Sequence, residues 1–225
     1  AAQPLEPRVD ELARAGLDSV GLRVPAHPVA LALLKAVGKP VAAPSANRSG
    51  RVSPTCAAHV AGDLEGRVEA ILDGGETQVG VESTIVACLD ETPRILRPGG
   101  VTRQAIEAVL GRALPVEDHG GAVIAPGMMQ SHYAPHSAVI LGAKQGAADS
   151  AILDFGGQLA NEPCVARVDL SPKGDLIEAA ARLFSALRRL DAAGAARILV
   201  APIPDEGLGE AINDRLGRAA APRDL

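Results

Sequence analysis

The run VARVDLSPKGDLIEAAARLFSALRRLDAAGAARILVAP, residues 165–202, places a strand, a helix and a second strand in one sweep. Its two ends, 165–168 and 198–202, are short β-rich runs, and the apolar period of 176–193 is helical. Working outward, 138–141 and 151–155 read as further strands and 208–220 as another helix. Strands alternating with helices predict a small α/β layer whose sheet is at least partly parallel. Upstream, residues 112–136 change character: Pro115, Gly120, Gly121, Pro126, Gly127 and Pro135 interrupt any sustained apolar period. This reads as a linker, and it divides the chain into 1–114, a connecting 115–136 and 137–225.

Ahead of the linker, 19–24 alternates like a strand, and 28–37 is apolar over a helical length before Gly38, a usual C-terminal cap. Lys39-Pro40 turns into a short strand at 41–43. Ser53-Pro54 reads as an N-cap followed by proline at the first helical position, with the helix running to Ala61 before Gly62. Strands follow at 70–72, 83–89 and 94–96, then an amphipathic helix at 102–110 ended by Gly111.

At 225 residues and 47% hydrophobic, the chain can build one large or two small domains around a real core. Collagen-like, coiled-coil and disordered classes are excluded. The net charge is −5, split as −3 over residues 1–118 and −2 over the rest. Neither half can wrap nucleic acid, and any RNA contact must be local. Cys56, Cys88 and Cys164 are odd in number and lack metal-ligand spacing, which fits a reducing cytoplasm and predicts no zinc site. The longest apolar stretches fall far short of a membrane span, and the N-terminus lacks a signal-peptide layout. A soluble, unsecreted chain is expected, and Ala1 in place of Met suggests an interior start. One Tyr, two Phe and no Trp leave a core of Ala, Val, Leu and Ile.

Four stretches carry possible chemistry. APSANRSGRVSPT, residues 43–55, sets hydroxyls, an amide and two arginines between a strand and a helix start, an anion-binding composition that also suits an ordinary solvent loop. GVESTIV, 80–86, brings hydroxyls to a strand entrance. RILRPGG, 94–100, puts Arg97 at a strand end, where a fixed guanidinium suits a carboxylate or phosphate. PGMMQSHYAPH, 126–136, holds the lone Tyr133, suited to packing on a ligand or to pinning the linker onto the first domain. Arg23, inside an apolar run, is either paired, ligand-facing or a surface charge. His132 and His136 do not make a metal pair, since Pro135 breaks the helix between them. His27, His59 and His119 show no partner pattern. No phosphate-binding G-x-x-x-x-G-K-[ST] motif, Ser-His-Asp pattern or obvious general base is present, so no catalytic residue is assigned.

The order of R-V-P-x-H-P, A-P-S-A-N-x-S-G-x-x-S-P-T, V-E-S-T-I-V, I-L-R-P-G and S-H-Y-A-P closely resembles the threonylcarbamoyl-AMP synthase family in its two-domain form. The likeness runs from about Leu17 through the linker and includes AINDRL at 211–216. It implies a twisted open-sheet nucleotide-binding domain followed by a smaller Rossmann-like α/β domain. The implied reaction joins L-threonine and bicarbonate to the adenylyl group of ATP and releases pyrophosphate. A separate transferase then moves the threonylcarbamoyl group to tRNA. Carried over by motif, Arg23, Ala43 and Ser83 contact L-threonine, and Ser19, Ser45, Asn47, Ser53, Arg97 and Tyr133 belong to the ATP site. Arg23 would clamp the threonine carboxylate, Ser45, Ser53 and Arg97 the phosphates, and Tyr133 would close the linker over ATP. Magnesium on the phosphates is expected from ATP chemistry generally.

The family pattern also includes a P-T-E-T-x-Y-G turn and a K-x-R basic motif, and this sequence contains neither. The expectation is therefore a first domain incomplete at its N-terminus, with its activity in question. Two other readings compete. One is a non-catalytic RNA-binding or assembly protein of the same domain family, contacting tRNA or double-stranded RNA through Arg48, Arg51, Arg97 and Arg103. The other is a related carbamoyl-transferring maturation enzyme, disfavoured by the linker and C-terminal matches.

Overall fold

A computed structural model describes residues 16–115 and 132–222. Its elements run α1 (Pro28–Val37), α2 (Ala57–Leu64), β1 (Ile85–Ala87), β2 (Arg94–Arg97), α3 (Arg103–Leu110), β3 (Ala138–Ile140), β4 (Ala151–Asp154), β5 (Ala166–Asp169), α4 (Leu176–Asp191), β6 (Arg197–Val200) and α5 (Leu208–Ala220). β1 and β2 pair antiparallel, whereas β3-β6-β4-β5 form a four-stranded sheet in which every pairing is parallel. The α/β class with a parallel sheet is as the sequence predicts.

A parallel strand is buried on both faces, and central β4 obeys this, all four of its residues being buried. Ala151 and Leu153 join the apolar cluster under α4 and α5, while Ile152, between them, packs with Leu159, Leu199 and Ala201 on the other face. α4 starts where Asp175 accepts the Ile177 and Glu178 N–H groups, and Arg188 and Arg189 occupy its last turn, complementing the helix dipole. Leu183, Leu187 and Leu190 on its inner face are fully buried, each contributing roughly 1.5–3 kcal/mol.

Val52, Val81 and Tyr133 belong to the same cluster as α4 and α5, so the core is continuous between the two parts of the chain. Gly80 marks a close approach of backbone to backbone. Its φ is +77°, and a Cβ there would lie 2.1 Å from the Ala180 carbonyl oxygen of α4. Only glycine permits this backbone-to-backbone contact.

The front of the chain departs from expectation. Residues 19–24, 41–43 and 70–72 form no ladder, and 83–89 contracts to Ile85–Ala87. Alternation selects a half-buried face, but Leu22 and Val24 are 82% and 89% exposed. The helix expected directly after Ser53-Pro54 begins instead at Ala57, with Cys56 at the N-cap and no side-chain cap. Most of the expected linker, 116–131 with Ser131, lies outside the described residues. No described helix is long and apolar enough to cross a membrane.

Candidate active site

Where α5, the 80–84 segment and the end of β2 meet, one guanidinium collects several groups. Arg215 of α5 donates from Nε to Glu82 at 2.7 Å, from Nη1 to Asp214 at 2.5 Å and from Nη2 to the Pro98 carbonyl at 2.9 Å. Its central carbon lies 5.2 Å from the centroid of the Tyr133 ring, a cation–π distance. Glu82 uses its other oxygen to accept the Ser53 hydroxyl at 2.6 Å. Arg97, buried beside it, donates to the Ser83 carbonyl at 2.8 Å and hydrogen-bonds Tyr133.

Electrostatics follow from this packing. Burial pushes the Glu82 carboxyl up, but the Arg215 charge and the hydrogen bonds from Ser53 and Arg215 outweigh it and hold the group below its ordinary value. Burial likewise works against the Arg215 cation, and Glu82, Tyr133 and Asp214 together more than compensate, holding it above its ordinary value. Arg97 is lowered by burial, as is His132, while burial raises the Tyr133 phenol.

The 43–55 loop is fastened to this cluster. Asn47 is buried and donates its amide to the carbonyls of Arg48 and Arg51, at 3.0 Å each. The Ala134 N–H reaches the Gly50 carbonyl at 2.9 Å, tying the end of the linker to the loop. From α4, Arg188 bonds the Val52 carbonyl at 2.5 Å and Asp63 at 2.6 Å.

The domain family described as "Telomere recombination" matches residues 2–99, and the one described as "Threonylcarbamoyl-AMP synthase, C-terminal domain" matches residues 101–221. The chain belongs to the threonylcarbamoyl-AMP synthase family. It is 40% identical to the threonylcarbamoyl-AMP synthase of Bacillus subtilis over 235 residues, covering 97% of this chain and 67% of that protein. With the Pyrococcus abyssi protein of the same name it shares 41% over 226 residues, 92% of this chain and 66% of the relative. The solved structure of P. abyssi Sua5 complexed with L-threonine superposes with a TM-score of 0.83 at 38% identity, over 96% of this chain and 68% of that one. The chain thus spans about two thirds of the length of these relatives.

Against the positions that the family motifs suggest, the structure draws Ser53, Ser83, Arg97 and Tyr133 into one neighbourhood around Glu82 and Arg215. Ser19 is half-buried and Arg23 exposed on the segment before α1, while Ala43 and Ser45 are exposed on the loop. No described hydrogen bond ties these four to the cluster. Ser53 is not the helix cap that its S-P-T context suggests, because its hydroxyl is spent on Glu82. Tyr133 is 1% exposed and packs on Phe184 at 5.5 Å between ring centroids; pinning the linker end inward is what its packing does here. The local basic patch also fails: Arg97 is buried, and Arg103 pairs with Glu210 at 2.6 Å.

Glu82 and Arg215 carried no role in the sequence reading. Arg215 had a visible signal: on α5, buried Ala211, Ile212, Leu216 and Ala219 form an apolar stripe, and an arginine sits within it. A charge on the inward face of an amphipathic helix needs a partner.

Proposed function

We propose that this chain carries out the family reaction, forming threonylcarbamoyl-AMP from L-threonine, bicarbonate and ATP with release of pyrophosphate. The observation that carries the reading is the convergence of buried Ser53, Arg97 and Tyr133, from three separate motifs, onto the Glu82–Arg215 pair, with the main-chain carbonyl of exposed Ser83 bonded by Arg97 at its edge. The likeness to synthases and to a threonine-bound relative supports it.

In this reading Arg23 clamps the threonine carboxylate, and Ala43 and Ser83 border the amino acid. The threonine amine adds to bicarbonate, and the resulting carbamate oxygen attacks the α-phosphorus as pyrophosphate leaves. The protein's part is positioning and charge neutralisation. Arg97 and Ser45 serve the phosphates, with Asn47 shaping their loop. Ser53 donates its hydroxyl hydrogen bond to Glu82, so toward a nucleotide it is an acceptor, suited to a ribose hydroxyl or an amino hydrogen rather than a phosphate oxygen.

Magnesium would ride on the phosphates. The described residues include no group of three or more His, Cys, Asp or Glu that could hold a metal, and Glu82 and Asp214 are both engaged by Arg215. These residues do not form a cage for the ion, and no step is assigned to it. The product would pass to a separate transferase acting on tRNA in the cytoplasm.

The test is pyrophosphate release from ATP and magnesium, with L-threonine and bicarbonate omitted in turn. Release that requires both is expected. Absence of release, under conditions where the B. subtilis relative releases it, refutes the reading for this chain.

A further inference from the structure

Arg215 is the largest side chain among the described residues to be shut off from solvent, with none of its side chain exposed. A guanidinium is costly to bury and tolerable only when its donors are matched. Here all three nitrogens have acceptors, and the face of the group has an aromatic ring.

The identity of those partners is what matters. Glu82 immediately precedes Ser83 and takes the Ser53 hydroxyl. Pro98 immediately follows Arg97. Tyr133 lies directly against the guanidinium. One side chain from the last helix therefore reaches, directly or through one carboxylate, three segments that hold suggested ATP contacts. Of the positions suggested for L-threonine, the exposed Arg23 and Ala43 share no described hydrogen bond with it, and Ser83, though adjacent to Glu82, is exposed and joins the network only through its main-chain carbonyl, which Arg97 holds.

We propose that Arg215 is a positioning residue for the nucleotide half of the site: its fork fixes Glu82, Pro98 and Tyr133, and through Glu82 it aims the Ser53 hydroxyl. This rests on the ATP reading above. Arg215 is enclosed, its side chain presenting no surface to a substrate. A lysine in its place keeps the charge but has a single nitrogen, which cannot span the Glu82 carboxylate and the Pro98 carbonyl in the same fixed plane.

The experiment uses the whole chain as Arg215→Lys and as the charge-balanced pair Arg215→Met with Glu82→Gln, which avoids stranding a buried charge. Binding of a non-hydrolysable ATP analogue and of L-threonine is measured by calorimetry. Tyrosine emission and near-ultraviolet dichroism are recorded without ligand. With one Tyr and no Trp in the sequence, the tyrosine signal belongs to Tyr133 alone. Both variants are expected to fold, to lose at least tenfold in analogue affinity, to hold threonine within twofold, and to shift the Tyr133 signal. Wild-type analogue affinity with an unchanged tyrosine signal in either folded variant overturns the proposal. So does an equal loss for both ligands, which a merely structural role would give. A wild-type chain that binds threonine but no nucleotide removes the ATP reading and the nucleotide half of this proposal. The Tyr133 signal of the Lys variant then decides the positioning claim by itself, an unchanged spectrum overturning it.

Discussion

Replacing Gly80 with alanine would put a carbon 2.1 Å from the Ala180 carbonyl oxygen and 2.4 Å from the Ala181 Cα. Both neighbours are helix backbone and cannot turn aside, so the 78–82 segment must lift from α4. The cost has two parts: about 1–2 kcal/mol for a side chain in the left-handed region, and about 1–3 kcal/mol for overpacking. Gly75 separates them, since its φ is +84° with nothing within 4 Å of an added Cβ. Gly75→Ala should therefore cost about 1–2 kcal/mol and Gly80→Ala about 2–5 kcal/mol. The unfolded-state gain from losing a glycine is common to both and cancels. Urea unfolding followed by Tyr133 emission gives the two midpoints, comparable if the slopes agree. Equal destabilisation by the two substitutions would falsify the claim that close approach, rather than backbone conformation, is what Gly80 provides.

Further outcomes can be checked with standard measurements. Because the folded-state pKa of Glu82 is depressed by Arg215 and Ser53 against the opposing effect of burial, its contribution is fully present above about pH 4.5 and is lost as pH falls through the folded value. A melting-temperature profile should thus fall more steeply below pH 4.5 in the wild type than in Glu82→Gln, and parallel profiles would count against the pair. Burial holds His132 below the ordinary histidine value, so the unfolded chain binds the extra proton and stability declines as pH drops below about 6.5; His132→Gln should flatten that interval. Arg188→Ala removes the bonds to Asp63 and the Val52 carbonyl and should cost about 2 kcal/mol in denaturant unfolding. Arg97→Ala should weaken nucleotide binding by about 2 kcal/mol, and unchanged affinity by calorimetry refutes its role.

The C-terminal elements were legible because each carries its own period. The expected 208–220 helix is observed with the same bounds, and the 176–193 helix ends only two residues early. Their strands are short apolar runs that a flanking helix must cover. The front half lacked that self-sufficiency: residues 19–24 have an alternating pattern, but a strand exists only with a neighbour to bond. Ser53 shows a local signal overruled by a distant one, since Glu82, 29 residues on, takes the hydroxyl that an N-cap would have used. The motifs led to Ser53, Ser83, Arg97 and Tyr133, whereas the two ions that join them did not stand out. Glu82 and Arg215 are 133 residues apart, and no spacing rule links such positions.

That separation also has a meaning in time. A ribosome adding about 5–20 residues per second needs roughly 7–27 s to go from Glu82 to Arg215. Throughout that interval Glu82 exists without the cation that neutralises it in the finished fold. The nascent front half is therefore missing its counter-ion until the final helix is made, and a chain stalled before α5 leaves the Glu82 carboxylate without its partner.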